Sequence, residues 1–347
     1  MKRRTFLKVV GVAAGSAAVV IPSVGAPQAS EQKMPRRKLG RTGFEISVIG
    51  FSGFALHHKN LDQEACNKIV RDALAGGVNY FDVAPAYGNG SCETRLGEAL
   101  QGVERKSYYL ACKTKMRDKA GAREELERSL KRLKTDYFDV YQMHHLVKPD
   151  DVKRALGEGG ALETFLEAKK AGQIKAIGFS AHTTKAALEA LRGFAFDTVM
   201  FPINYVEYFT RDFGREVMAL ANEKGAAILA IKPMNSGAWP PNTPRTRQWW
   251  YRPLENQEDI NLAYRWTLSL PGVVSTFSPA WPDLQAKAIL AGYALKPCTE
   301  ADVARLKEMA AGCGSIFKRE EDSVAFNRVY HSPYPYYPHE CDGGELA

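Results

Sequence analysis

The chain has 347 residues, 45% of them hydrophobic and 25% charged, which suits one large core or two modest domains and excludes a disordered chain. Its formal charge is +8, but Lys2, Arg3, Arg4 and Lys8 supply half of that. Without them, 43 basic residues face 39 acidic ones, a balance of +4. So mildly basic a body, with no basic helix carrying interleaved aromatics, argues against a nucleic-acid partner.

The chain opens KRRTFLKVVGVAAGSAAVVIPSVGAPQAS. Paired arginines followed by an apolar Gly/Ala/Val run read as a twin-arginine signal peptide over residues 1–29. That reading implies the twin-arginine export machinery as a partner and a periplasmic or otherwise exported location. The apolar run, residues 9–25, is short and broken by Pro22, so no stable membrane anchor is expected.

Next, RRKLGRTGFEISVIGFSGFAL predicts a small hairpin feeding a first strand, with Leu39-Gly40 and Thr42-Gly43 as turn signals. Apolar or β-branched runs follow at 78–82, 108–113, 137–143, 174–179, 198–201, 227–231 and 273–277. Segments of helical period lie between them, at 63–75, 93–100, 122–133, 162–171, 185–191, 215–221, 258–268 and 284–290. With 46–51 as the first strand there are eight strand–helix units. The pattern predicts an α/β fold, a (β/α)8 TIM barrel. A doubly wound sheet is the alternative, but GFSGFAL after the first strand lacks a GxGxxG turn. A long Pro- and Trp-rich loop, 239–256, follows the seventh strand. Residues 330–341, YHSPYPYYPHEC, form an aromatic tail. Both are expected to wall the barrel mouth.

The cysteines are Cys66, Cys92, Cys112, Cys298, Cys313 and Cys341. None has CxxC spacing, so no iron–sulfur cluster, zinc or other metal site is assigned. In an oxidising compartment one disulfide among Cys298, Cys313 and Cys341 is expected, and Cys112 reads as a buried free thiol.

Strand C-terminal ends converge on one mouth of a barrel. Asp82 and Tyr87 follow the second strand, Lys113 ends the third, and His144 and His145 end the fourth. A phenol titrates near ~10, too high for an efficient acid at neutral pH. An ammonium about 4 Å away stabilises the phenolate by roughly 4 kcal/mol at an effective dielectric of 20. At ~1.4 kcal/mol per unit, this lowers the phenol by at most about three units. On this reading Lys113 tunes Tyr87 toward neutrality as a general acid, Asp82 aims Lys113, and His144 orients a carbonyl oxygen.

The segments KLGRTGFEISVIGFSG, NYFDVAPAYGNGSCETRLGEAL, LACKTK, DYFDVYQMHHL, IKAIGFSAH and AAILAIKPMNSG resemble the aldo/keto reductase family, in family order over about three quarters of the chain. The resemblance implies a barrel over residues 35–295, then a C-terminal helix and aromatic tail over 296–347. It implies that Asp82, Tyr87, Lys113 and His144 are the catalytic tetrad, with His145 turned toward the loop. It implies that NADP(H), with NAD or no nicotinamide as alternatives, is held by Ser180, Lys232 and Ser278. The pattern departs at Ala181, Met200 and Ile203, where the family has asparagine, glutamine and an aromatic ring. It departs again at Asp283 and Lys287, where arginine and asparagine are usual, and a carboxylate at 283 would repel a 2′-phosphate. The chain thus reads as an NAD(P)H-dependent oxidoreductase interconverting a carbonyl and an alcohol, acting on a small carbonyl or sugar. The alternatives are a barrel that lost its nicotinamide and does acid–base chemistry of isomerase or lyase type, and a barrel that only binds a ligand.

Overall fold

A left-handed Gly43 at φ +79° turns the chain between β1 (Arg36–Lys38) and β2 (Glu45–Ser47), which pair antiparallel as the predicted hairpin. The structure is a computed structural model describing residues 33–326. The signal-like segment 1–29 and the tail 330–341 lie outside the described residues.

Eight parallel strands close into a barrel: β3 (Ile49–Ser52), β4 (Tyr80–Asp82), β5 (Tyr109–Thr114), β6 (Phe138–Leu146), β7 (Ile174–Ala181), β8 (Thr198–Pro202), β9 (Ala227–Ile231) and β10 (Val273–Phe277), with β10 returning to β3. Every predicted strand is present. The first is divided at Val48: Ile46 belongs to the hairpin, and the barrel strand begins at Ile49.

The helices are α1 (Gln63–Ala75), α2 (Ser91–Ala99), α3 (Lys119–Leu133), α4 (Pro149–Leu156), α5 (Ala161–Lys170), α6 (Thr184–Gly193), α7 (Tyr205–Arg211), α8 (Arg215–Glu223), α9 (Gln257–Ser269), α10 (Pro282–Tyr293), α11 (Glu300–Ala310) and α12 (Lys318–Ala325). Periodicity predicts α1, α2, α3, α5, α6, α8, α9 and α10; α11 and α12 stand where the resemblance implies a single C-terminal helix. Periodicity misses α4 and α7, which span two turns and start on local chemistry: Pro149 at the first turn of one, the Asn204 side chain capping Glu207 N in the other.

Two cores result. The larger lies between strands and helices. The smaller fills the barrel from alternate inward positions, Tyr80, Ala111, Val140, Ala176, Met200 and Leu229 among them, and is joined by Leu39 and Ile46 of the hairpin. The hairpin therefore plugs the end where strands begin. Arg37 donates to the carbonyls of Leu268 and Val273, and Arg41 pairs with Asp197 at 2.9 Å, fixing that plug. With one end sealed by apolar side chains, polar groups collect at the other.

The C-terminal segment is tied to that open end by Glu207, which is fully buried in α7. Its carboxylate accepts from Ile316 N at 2.7 Å, Ser315 Oγ at 2.7 Å and Arg211 at 3.2 Å. Glu321 accepts from Thr184 N at 2.6 Å and docks α12 on the start of α6. The loop 239–256 contains no helix or strand, as its composition predicts. It folds inward, so that Trp250 and Tyr251 are each 1% exposed.

Candidate active site

Parallel register sets the polar layer above the barrel core. Asp82 stands beside Ala111, and Lys113 beside Gln142. The loop after β4 then reverses through three consecutive left-handed residues: Gly88, Asn89 and Gly90, at φ +57°, +50° and +87°. Glycine and asparagine tolerate that region best. This turn drops the Tyr87 ring back over the mouth.

The four predicted residues are brought together. Lys113 is fully buried and ion-paired with Asp82. Its ammonium also donates to Val83 O at 3.2 Å and Tyr87 OH at 3.4 Å. The Tyr87 ring meets His144 edge-on, with centroids 5.6 Å apart. Gln142, which sequence reasoning passed over, donates to Asp82 Oδ2 at 2.9 Å. It lies two residues before His144 and so on the same face of β6, a period-2 signal available in QMH.

The electrostatics differ from the sequence expectation. Burial raises the Tyr87 phenol, Lys113 pulls it down, and Asp82 raises it further; the net is above its ordinary value, not below. Desolvation outweighs the ammonium because the same ammonium is committed to Asp82. Burial also pulls Lys113 down, but Asp82 and then Tyr87 reverse this and hold it above its ordinary value, charged. His144 is driven well below the usual imidazole range, first by burial and then by Lys113 and His145. Burial raises the Asp82 carboxyl, against the pull of Lys113 and Gln142. At neutral pH the site thus holds a protonated phenol, a neutral imidazole and the Lys113 ammonium bound to Asp82.

Ser180, Lys232 and Ser278 line the same cavity, of about 90 Å3, as Asp82, Tyr87 and His144. Ser180 Oγ accepts from His145 N at 2.8 Å, and Ser278 Oγ donates to Gln285 Oε1 at 2.8 Å. Lys232 sits 3.3 Å from His182 Nε2, and burial pulls its ammonium down to about 7. Trp249, Trp250 and Tyr251 form the roof. Asp283 is not a bare carboxylate: Arg247 pairs with both its oxygens and also holds Glu255. Lys287 is spent on Glu255 O. On its other side His144 borders a cavity of about 650 Å3 lined by Asn89, Lys115, Arg117 and Asp151.

His145 departs from the expected direction. It turns at φ +56°, where the β6–β7 register breaks, and faces His182 and Glu320. His182 follows Ser180 at period 2, so GFSAH carried a signal for it. Glu320 comes from α12, far along the chain, and carried none. Cys298 and Cys313 are both free, so they form no disulfide with each other, while Cys341 lies outside the described residues; Cys112 is a buried free thiol. Among the described residues no helix is long and apolar enough to cross a membrane.

A barrel with this polar layer at its mouth defines a class, and the comparisons name it. The aldo/keto reductase family model matches residues 48–311, and the chain belongs to that family; it is an oxidoreductase enzyme. It is 27% identical over 321 residues to the aldo-keto reductase YhdN of Bacillus subtilis, covering 79% of this chain and 94% of that protein. It is 27% identical over 218 residues to a Glycine max protein named "Probable aldo-keto reductase 1", covering 58% of this chain and 59% of the relative, so it spans less than two thirds of that protein's length. The solved structure of aldo-keto reductase AKR11C1 from Bacillus halodurans, in its holo form, superposes with a TM-score of 0.66 at 23% identity, covering 83% of this chain and 99% of that one. The family binds small carbonyl substrates and a nicotinamide cofactor.

Removing one partner of a buried ion pair leaves the other charge stranded, at a cost of about 3–5 kcal/mol. Asp82→Asn should therefore lower stability by about 3 kcal/mol in urea unfolding. Adding Lys113→Met to Asp82→Asn should recover part of that loss, and additive losses would mean the pair is not coupled.

Proposed function

We propose that this oxidoreductase interconverts a small carbonyl and its alcohol with an NAD(P) cofactor, NADP(H) in the first instance, and that Tyr87 is its general acid and base. The observation that carries this is the Tyr87 hydroxyl 3.4 Å from the buried Lys113 ammonium, at a mouth shared with a neutral His144.

The chain's own residues suit a nicotinamide in chemistry. Ser180 and Ser278 offer hydroxyls, and Lys232 a cation for an anionic linkage, in the cavity that holds Tyr87. A nicotinamide supplies or accepts hydride at the substrate carbon when bound. The present cavity, about 90 Å3, is below the ~300 Å3 at which small-molecule sites begin. Admission of a dinucleotide therefore requires the Trp249–Tyr251 roof to lift. The substrate enters from the larger cavity beyond His144, whose polar and charged walls suit a small polar carbonyl or a sugar.

In reduction, neutral His144 donates a hydrogen bond to the carbonyl oxygen and polarises it. Tyr87 donates its proton as the oxygen gains charge. Lys113, held charged by Asp82, stabilises the phenolate left behind. Gln142 holds the second oxygen of Asp82 and keeps the pair aligned. Raised by burial, Tyr87 stays protonated across the neutral range, so acid is available there without titration.

Removal of a positioned acid typically costs ~10²–10⁴ in rate. Tyr87→Phe should lose turnover by at least about 100-fold with its melting temperature unchanged. With the cofactor saturating, so that titration of Lys232 near 7 does not limit the rate, wild-type reduction should stay level through neutral pH and fall only above the ordinary phenol value of ~10. Full activity in Tyr87→Phe would end the assignment.

Export by the twin-arginine route to the periplasm belongs to the same proposal, and rests on the paired Arg3 and Arg4 before the apolar run. Replacing both with lysine should leave the protein in the cytoplasmic fraction. Unchanged appearance outside the cytoplasm would refute that route.

A further inference from the structure

His145, His182 and Glu320 arrive at one point from three elements. His145 comes from the irregular end of β6, His182 from just past β7, and Glu320 from the first turn of α12. Their candidate donor atoms all lie within 4.8 Å of one another. His145 Nε2 is 3.9 Å from Glu320 Oε1, and the two imidazoles meet edge-on with centroids 4.5 Å apart. His182 is 2% exposed and Glu320 3%. We infer that these three side chains form a binding site for a first-row divalent transition cation.

Several features hold the donors in place. Arg117 donates to the carbonyls of His144 and His145, at 2.8 and 3.1 Å, and fixes the turn that aims His145. His182 N donates to Leu146 O at 3.1 Å. Phe317 packs edge-on against the His182 ring, with centroids 5.7 Å apart. Glu207 and Glu321 anchor the chain on either side of Glu320. Left-handed backbone at a non-glycine residue is uncommon, and at His145 its result is an imidazole turned toward a second imidazole and a carboxylate.

The donor set selects the cation. Two imidazoles and one carboxylate suit zinc, iron(II) or cobalt(II); calcium and magnesium prefer all-oxygen shells. Donors about 2.1 Å from a tetrahedral ion are about 3.4 Å apart. The donors lie within 4.8 Å of one another, so each must move inward on binding. Three protein ligands leave a coordination position open, the pattern of a catalytic rather than a structural site. That position has a neighbourhood: His182 lines the cavity that holds Tyr87 and His144. A cation there would lie at the edge of that cavity. The site does not depend on whether a nicotinamide binds.

Lys232 is the competitor. Its ammonium lies 3.3 Å from His182 Nε2 and so sets a positive charge beside an imidazole of the site. That charge opposes cation binding, which gives the site a signature of opposite signs. The test titrates cobalt(II) into chelator-treated full-length protein and follows visible absorption and calorimetric heat. One equivalent should bind, with absorption typical of imidazole coordination and competition by zinc. Glu320→Gln and His182→Ala should each weaken binding by more than about tenfold, since losing even a supporting residue costs ~10–100-fold. Lys232→Met should tighten it. Melting temperatures of all variants, measured without metal, separate loss of the site from loss of fold. Absence of cobalt uptake would overturn the proposal. So would uptake unchanged in all three variants, which would place the metal elsewhere on the chain.

Discussion

The site depends on one buried ion pair. Lys113 and Asp82 lie inside the barrel, where each charge costs several kcal/mol to desolvate. They persist because the pair is saturated: Asp82 also accepts from Gln142, and Lys113 also donates to Val83 O and Tyr87. This arrangement requires neighbouring strands in fixed register, with β4 supplying Asp82, β5 Lys113 and β6 Gln142. The closed barrel holds that register, and the apolar hairpin plug beneath keeps the polar layer at the mouth. The same burial that makes the pair costly decides the state of the groups around it, raising the Tyr87 phenol and keeping His144 neutral.

Much of this was legible in the sequence, for identifiable reasons. Strands buried on both faces read as continuous apolar runs, and the long helices repeat at 3.6 residues, so the eight units and the TIM barrel could be counted. The barrel rule then placed Asp82, Tyr87, Lys113 and His144 on one mouth without coordinates. The short helices α4 and α7 escaped because two turns are too few for periodicity. The Tyr87 shift was misjudged because Coulomb attraction was weighed at an assumed distance, while desolvation depends on burial that a sequence does not display. The Arg247–Asp283 pair and the approach of Glu320 to His145 connect residues far apart in the chain, so no local pattern announced them.

The mouth also carries a second layer of order. Trp249, Trp250 and Tyr251 close it from one side, and the segment ending in α12 closes it from another, locked by Glu207 and Glu321. Between them lie Lys232 and His182, facing the cavity that holds Tyr87. A barrel mouth roofed by buried aromatics trades access for exclusion of water, which strengthens each electrostatic interaction inside.

The central claim is that burial keeps the Tyr87 phenol protonated while Lys113 beside it stays charged. It is tested most directly by labelling tyrosine ring carbons, assigning Tyr87 by its loss in Tyr87→Phe, and following its resonance with pH in the ligand-free protein. The account predicts that Tyr87 begins to ionise only above the ordinary phenol value of ~10. Ionisation of Tyr87 near neutral pH would contradict it, and would show that the ammonium, not desolvation, governs the site.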